Sequence, residues 1–578
     1  MQRTVLAADN WVSIQSKNFT CVGNAKVEDM KKILIRLEEF REALARTLPN
    51  AKLAANKPTI VVVFKDDNAF HPYKPQYKGK TEDNVGGYFQ ERADSNFIVL
   101  STDSSVIAPF DVIFHEYEHF VLRNNMKKAP LWLNEGFAEY YSTFEASDKE
   151  NKIKVGAPIG RHIGLLRYKP LLPLKTLLSV NAKSPEYHEG SKVGMFYAES
   201  WALVHYLMNG NELKRRPQLI RFMNQLSTDA PLDENFRQSF GEDYGQMEQE
   251  LRSYVSRFVF TVRNTVFLNG FTFDKQMTVT PLTEPQKFAY LGDLLAGVGR
   301  FKDAEEKLRK AIQIEPTFGP AKISLAQVLA AQDRYPEAEE VLVSASKDSS
   351  KDYRTSYYLG LFLYGRRQFD EALKSFQKSL EYNSNEARTY SMIGRIYTAL
   401  RQDDRAIEAY RNSLSLEPDD GTVFRPLSYL KLNQADGAIA AAFAMTFLRD
   451  EGWQSSSAPY MAIVAVLGYR MAHKPERAVT VLATAFSRLD STDWAWSILQ
   501  YLKGDIDDEA LLKLAVDDDK QTEAHAYIGL SLSILGRKDD AIRHLEWVRD
   551  NGKQNFDEYP LALAELARLQ KMPESVVK

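Results

Sequence analysis

The chain has 578 residues, 44% of them hydrophobic and 26% charged, with 74 Lys+Arg against 77 Asp+Glu for a formal net charge of -3. Such a length exceeds what one hydrophobic core organises, so two or more domains are expected. The near balance of charge excludes the basic footprint that nucleic acid or an anionic membrane surface demands.

Cys21 is the only cysteine, which excludes an intramolecular disulfide framework and a thiolate-rich metal site, and leaves histidine and carboxylate as metal ligands. No run of about 18 apolar residues occurs, so no membrane-spanning helix is expected. Met1 to Asp9 holds only a brief apolar patch at Val5 to Ala8, short of the core of roughly 7 to 15 residues that a signal peptide needs. No export signal is expected in the chain as written. Ala7-Ala8-Asp9 nonetheless resembles the region after a cleavage site, which is compatible with a mature or truncated form and a periplasmic or secreted location.

Trp11 to Val22 carries β-formers in loose alternation and predicts an opening strand. From Val27 to Leu48, Met30, Ile33, Leu34, Leu37, Phe40 and Leu44 recur at helical spacing, and Pro49-Asn50 ends the run. Thr59 to Phe64 is a β-branched strand whose continuity predicts burial on both faces. His71 to Asp83 has no periodicity and predicts a loop. Gly86-Gly87-Tyr88-Phe89-Gln90 begins with a glycine pair suited to a sharp turn or close backbone approach. Asn96 to Ser101 is the next strand, either the edge on which an extended substrate lies or an ordinary interior strand.

Ala108 to Asn124 predicts a helix carrying His115-Glu116-Tyr117-Glu118-His119. Residues four apart share a helix face, so His115 and His119 can present two imidazoles to one metal ion. Catalytic zinc usually takes three protein ligands, and Glu135, on a second predicted helix from Leu131 to Phe144, is the third candidate. The connection between the helices is short enough for an antiparallel pair in which His119 and Glu135 meet. Glu139, one turn beyond Glu135, is either a partner behind the ligands or a solvated helix carboxylate. Gly156 to Tyr168 looks like a loop near the site, and Leu171 to Val180 begins a helix. Tyr197 to Leu207 predicts a deeply buried helix, Leu219 to Leu226 and Phe236 to Phe258 continue the helical part, and Phe260 to Asp274 leads out of the first domain.

From Pro285 a period of 34 appears: Leu291-Gly292, Ala304, Leu308 and Ala311 align with Leu325-Ala326, Ala338, Leu342 and Ala345. The register returns at Leu359-Gly360, Ala372, Phe376 and Ser379, then at Ile393-Gly394, Ala406, Tyr410 and Ser413. This pattern resembles the tetratricopeptide repeat, whose small residues let two helices pack closely. The expected domains are residues 1–274 and a repeat domain over 275–578, with clear repeats at 285–420 and degenerate ones at 421–578.

The two metal-motif helices resemble those of gluzincin metallopeptidases, in which His-Glu-x-x-His is followed by an Asn-Glu-Gly-Phe-like segment, here Asn134-Glu135-Gly136-Phe137. Within that group the chain looks most like the peptidase MA-like domains joined in bacteria to tetratricopeptide repeats. The expected fold class is thus an α+β gluzincin-like metallopeptidase domain followed by an all-α tetratricopeptide-repeat solenoid. The resemblance implies His115, His119 and Glu135 as ligands of one zinc ion and Glu116 as general base. It implies Tyr197 as oxyanion donor, heading Tyr-Ala-Glu-Ser-Trp-Ala-Leu where relatives read Tyr-x-x-Gly-x-x-Leu; Tyr187 and His188 are rivals, His205 is read as a satisfied core histidine, and His162 has no assigned place. Aminopeptidases of the group carry a glutamate that binds the substrate's free amino terminus, and Phe89 stands there instead, which predicts cleavage of internal peptide bonds; Glu91 would replace the anchor after a one-residue shift. A peptide or protein substrate, and a protein partner for the repeats, complete the expectation. The alternative is a protein-interaction scaffold with a structural or inactive zinc domain.

Overall fold

The computed structural model describes residues 10–48, 51–53, 57–77, 80–81, 85–102, 109–126, 129–181, 184–188, 190–226, 232–257, 259–273, 275–348 and 351–571. The opening Met1 to Asp9, the Pro49-Asn50 pair and the His188 side chain lie outside the described residues. The chain divides into two compact units, Met1–Ser350 and Lys351–Lys578.

The first unit is built on a six-stranded sheet in the order Thr278–Pro281, Val12–Gln15, Phe19–Gly23, Thr59–Phe64, Asn96–Ser101, Gly87–Glu91. Phe19–Gly23, Thr59–Phe64 and Asn96–Ser101 run parallel, and the remaining pairs are antiparallel. The opening segment, expected as one strand, turns at Ser16 to Asn18 and forms two. Burial on both faces explains the unbroken apolar runs of the central strands. Cys21, Val61, Val63, Ile98 and Leu100 point to a core shared with the Val27–Thr47 helix and the metal-motif helices. Val22, Ile60, Val62, Phe97 and Val99 point the other way, against Leu291 and Leu294 of the first repeat helix, Glu284–Gly297.

This second face explains where the first unit ends. The repeats begin in sequence near 285, close to the 274/275 boundary expected from the sequence. Thr278–Pro281 nevertheless returns to pair with Val12–Gln15, and the first repeat helix covers the sheet. Asn96–Ser101 is an interior strand, flanked by Thr59–Phe64 and Gly87–Glu91; the edge belongs to Gly87–Glu91. Gly156 to Tyr168, expected as a loop, contains a helix over Gly160–Tyr168. Ile159, Ile163 and Leu166 supply the helical spacing that the glycines at 156, 160 and 164 obscure. The stretch from Phe236, expected to continue the helical part, lies in two helices, Leu232–Phe240 and Tyr244–Ser256, separated at Gly241 with φ +73°; Phe258 lies outside the described residues.

Four of the helical hairpins share one packing rule. A side chain at Gly292 would strike Leu308, at Gly360 Phe376, at Gly394 Tyr410, and at Gly529 Leu545. In each case a hydrogen-only position faces a large residue 16 places later, so the two helices of a hairpin lock by small-into-large complementarity. The turn inside the hairpin needs a left-handed residue, found at Gly299, Asp333, Arg367, Arg401 and Ala435, each 34 positions after the last. Further ones stand at His473, Gly504 and Gly536. The spacing slips after Ala435 while the hairpins continue, which is why the period fades in the sequence and the architecture does not. In the second unit the last helix, Glu558–Lys571, packs beside Gly421–Asn433 as well as Asp518–Ile534. Arg425 to Asp557 at 2.5 Å and Arg568 to the Asn433 carbonyl at 3.0 Å tie that closure.

Candidate metal centre

Pro109–Asn125 and Leu131–Ser142 form the expected helix pair. His115 and His119 share one face of the first helix, their Nε2 atoms 3.0 Å apart. Glu135 Oε2 lies 3.6 Å from His115 Nε2 and 3.5 Å from His119 Nε2. Among the described residues these form the one group of three or more His, Cys, Asp or Glu whose donor atoms lie within 4.8 Å of one another. Zinc bonds of about 2.0–2.2 Å in a tetrahedron separate ligand atoms by about 3.4 Å, so the donor set fits such an ion. Glu135 is buried, and its Oε2 has no hydrogen-bond partner among the described residues. A buried carboxylate oxygen without a donor is costly unless a cation satisfies it.

Gly136 positions the third wall. A Cβ there would lie 2.5 Å from the Ser200 carbonyl oxygen, so glycine lets the Gly190–Asn209 helix close on the metal-motif pair. That helix carries Tyr197, which stacks on Tyr187 with ring centroids 6.3 Å apart. Tyr187 reaches Glu135, its hydroxyl donating to Oε1 at 3.3 Å. Burial, followed by the charge of Glu135, pushes the Tyr187 hydroxyl up to about 12, and the same two causes raise Tyr197 further. Both phenols therefore remain protonated donors at neutral pH.

Glu116, beside the ligands, accepts the Phe89 backbone N–H at 2.9 Å. Phe89 lies on the edge strand, so the sheet's free edge ends against this carboxylate. Glu91, the possible substitute for an amino-terminal anchor, pairs with Lys57 and with Arg123 at 2.8 Å each. Burial favours its neutral form, yet those two cations lower its pKa overall.

Glu139 is buried behind the two histidines. Its Oε1 lies 3.9 Å from His115 Nδ1, its Oε2 3.1 Å from His162 Nε2, and Arg161 donates to both oxygens at 2.9 Å. Burial opposes its ionisation, but His162, His115 and Arg161 hold its pKa down to about 2. Burial also opposes the charged form of His115, while the Glu135 contact and the charges of Glu116 and Glu139 raise it to about 9. Arg161 and His162, neither assigned a role from the sequence, thus flank the carboxylate that backs His115. His205 is a satisfied core histidine: its ring nitrogens meet the Tyr254 hydroxyl and the Gly156 carbonyl at 2.8 Å each, and burial lowers its pKa to about 4.

The hairpins beyond this centre are tetratricopeptide repeats, and two family models of that description match residues 295–355 and 387–420. Residues 111–233, which include His115, His119, Glu135 and Tyr197, match the model of a protein family of unknown function (DUF1570). Solved structures similar to the chain include PilF of Pseudomonas aeruginosa, at 19% identity, 39% coverage of this chain, 98% of that one and a TM-score of 0.34. A tetratricopeptide repeat protein from Parabacteroides merdae covers 49% of this chain and 99% of its own at 13% identity and a TM-score of 0.30. YrrB, described as a repeat protein with an unusual peptide-binding site, covers 34% and 98% at 16% identity and a TM-score of 0.29. No curated protein matches the chain.

Proposed function

We propose that the chain acts as a protein-interaction scaffold through its tetratricopeptide repeats. The two repeat-family matches carry this reading, because stacked hairpins present an extended surface suited to peptide or protein partners. Crosslinking the full chain in extract of its native cells, followed by peptide mapping, tests it. Partner crosslinks concentrated within 285–571 are expected, and crosslinks confined to residues before 285 would reject it.

A second reading, zinc-dependent hydrolysis of internal peptide bonds, is favoured by one observation: the convergence of His115, His119 and the orphaned oxygen of Glu135 beside Glu116. Zinc bound there would supply a Lewis acid and lower the pKa of a water to about 7. Glu116 would be the group placed to accept a proton from an attacking water and to pass one to the leaving amine. Tyr187 and Tyr197 are the donors at hand for a developing oxyanion. With Phe89 at the anchor position and Glu91 committed to Lys57 and Arg123, no carboxylate on this strand is left for a substrate's free amino terminus.

Metal analysis together with peptide cleavage by the native chain and Glu116→Gln tests the second reading. Expected are one zinc per chain in both and a loss of roughly 100-fold or more in cleavage for the variant. Equal cleavage would reject Glu116 as base. Zinc without cleavage in either protein would leave the scaffold reading with a structural metal.

A further inference from the structure

The second unit carries an open pocket of about 390 Å³, lined by Arg425, Tyr429, Tyr460, Glu523, Phe556 and Glu558 among others. Its volume is in the range of small-ligand pockets. Glu523 and Glu558 are 5% and 3% exposed, and among the described residues neither forms an ion pair. Their partners are neutral. Glu523 accepts from the Tyr460 hydroxyl at 3.2 and 3.1 Å and from Trp494 Nε1 at 2.9 Å. Glu558 accepts from the Tyr527 hydroxyl at 2.6 Å. The one cation in the wall, Arg425, is engaged by Asp557 at 2.5 Å.

Buried carboxylates are normally paired. Here the wall carries Glu523, Glu558 and Asp557 against Arg425 alone, and Asp493 stands close enough to raise Glu523 further. Burial, then the charge of Glu558, pushes Glu523 up to about 8, and burial first pushes Glu558 up to about 6. The two acids thus repel one another beside open space. The rings of Tyr429, Tyr460 and Phe556 add aromatic surface of the kind that attracts organic cations, and a carboxylate, which when ionised only accepts hydrogen bonds, suits a donor-rich cation.

We propose that this pocket binds a lysine or arginine side chain presented by a protein partner. The cation would enter between Glu523 and Glu558, its alkyl stem against Tyr460 and Phe556. This proposal rests on the reading of the repeats as a partner-binding module and adds the chemistry of what they recognise.

The test is calorimetric titration of the full chain with four probes: Nα-acetyl-lysine amide, Nα-acetyl-arginine amide, the Nε-acetylated lysine probe as neutral control, and 1,5-diaminopentane as a free amine. Saturable binding of the lysine or arginine probe is expected, with none for the Nε-acetyl form. Glu523→Gln and Glu558→Gln should each weaken binding by about tenfold or more, while thermal unfolding shows that both variants stay folded. Tyr460→Phe, which keeps the ring and removes a donor to Glu523, should retain binding. Equal binding of the neutral control, undiminished binding by both Gln variants, or no binding by any probe at about 10 mM would overturn the site. Binding of the diamine alone would overturn the partner side chain as occupant. Partner capture by the repeats with every probe silent would sink this site and leave the scaffold reading standing.

Discussion

Two kinds of helix pair in this chain are built on opposite rules. In the repeats, Gly394 lies under Tyr410 as Gly360 lies under Phe376, and nothing polar is asked of the contact. In the metal-motif pair, the helices meet across two imidazoles and a carboxylate whose buried oxygen has no donor. The first interface is satisfied by shape alone. The second leaves a buried carboxylate oxygen with no hydrogen-bond donor among the described residues, so its three donor atoms have room for a cation where the repeat hairpin has none.

Breaking each interface should have different consequences. The largest effect is expected at Glu135→Gln, which should weaken zinc binding by roughly 100-fold or more in a chelator competition. Thermal stability of the metal-free protein should change far less than zinc affinity, because the amide keeps the shape of the side chain and its acceptor for the Tyr187 hydroxyl. A parallel loss of metal-free stability would show that Glu135 serves packing instead. Next is Gly394→Leu. A Cβ there already comes within 2.7 Å of the Tyr410 ring, and overpacking of this kind costs about 1–3 kcal/mol, read as a lower unfolding midpoint at unchanged zinc stoichiometry.

His162→Ala sharpens the comparison from behind the ligands. By loosening Glu139 from His115 it should lower zinc affinity by roughly tenfold, with little change in the metal-free unfolding midpoint. The smallest effect is a slope in pH. Burial raises Glu199 from 4.5 to about 8 despite the Leu172 N–H it accepts. Below pH 4.5 the folded and unfolded chains both hold this proton. As pH rises towards 8 the unfolded chain releases it and the folded chain does not, so stability declines across that window. Glu199→Gln should flatten this part of a midpoint-against-pH curve, and an identical slope in the variant would reject the assignment.

These contrasts also explain what the sequence disclosed. The repeat hairpins were legible because a small residue facing a large one 16 places on recurs at a fixed period, and they faded to the eye only where the spacing slipped after Ala435. The three candidate ligands were legible because one turn of helix fixes His115 against His119 and a short connection returns Glu135. Less legible were contacts made by distant segments. Tyr187 reaches Glu135 from a four-residue helix, Pro185–His188, with too little length for a periodic signal. Arg161 and His162 sit on a nine-residue helix masked by glycines. The interior placement of Asn96–Ser101 follows from Gly87–Glu91 folding back outside it, a choice of pairing that neither strand's own pattern specifies.

That outer strand has one more consequence. Phe89 meets Glu116 on one side, while Gln90 reaches the Leu294 carbonyl at 3.4 Å and Arg92, just past the strand, binds the Asp293 carbonyl at 2.6 Å and Gln327 at 3.2 Å. Gly297 leaves room for the Gln90 side chain, which a Cβ would overlap. The first two hairpins are therefore not interchangeable modules of an array. Any exchange, insertion or deletion of repeats within 284–347 would have to reproduce Asp293, Gly297 and Gln327, or the strand that touches Glu116 would lose its outer footing. Modularity, the usual evolutionary freedom of repeat proteins, is suspended where the array has become a wall of the neighbouring fold.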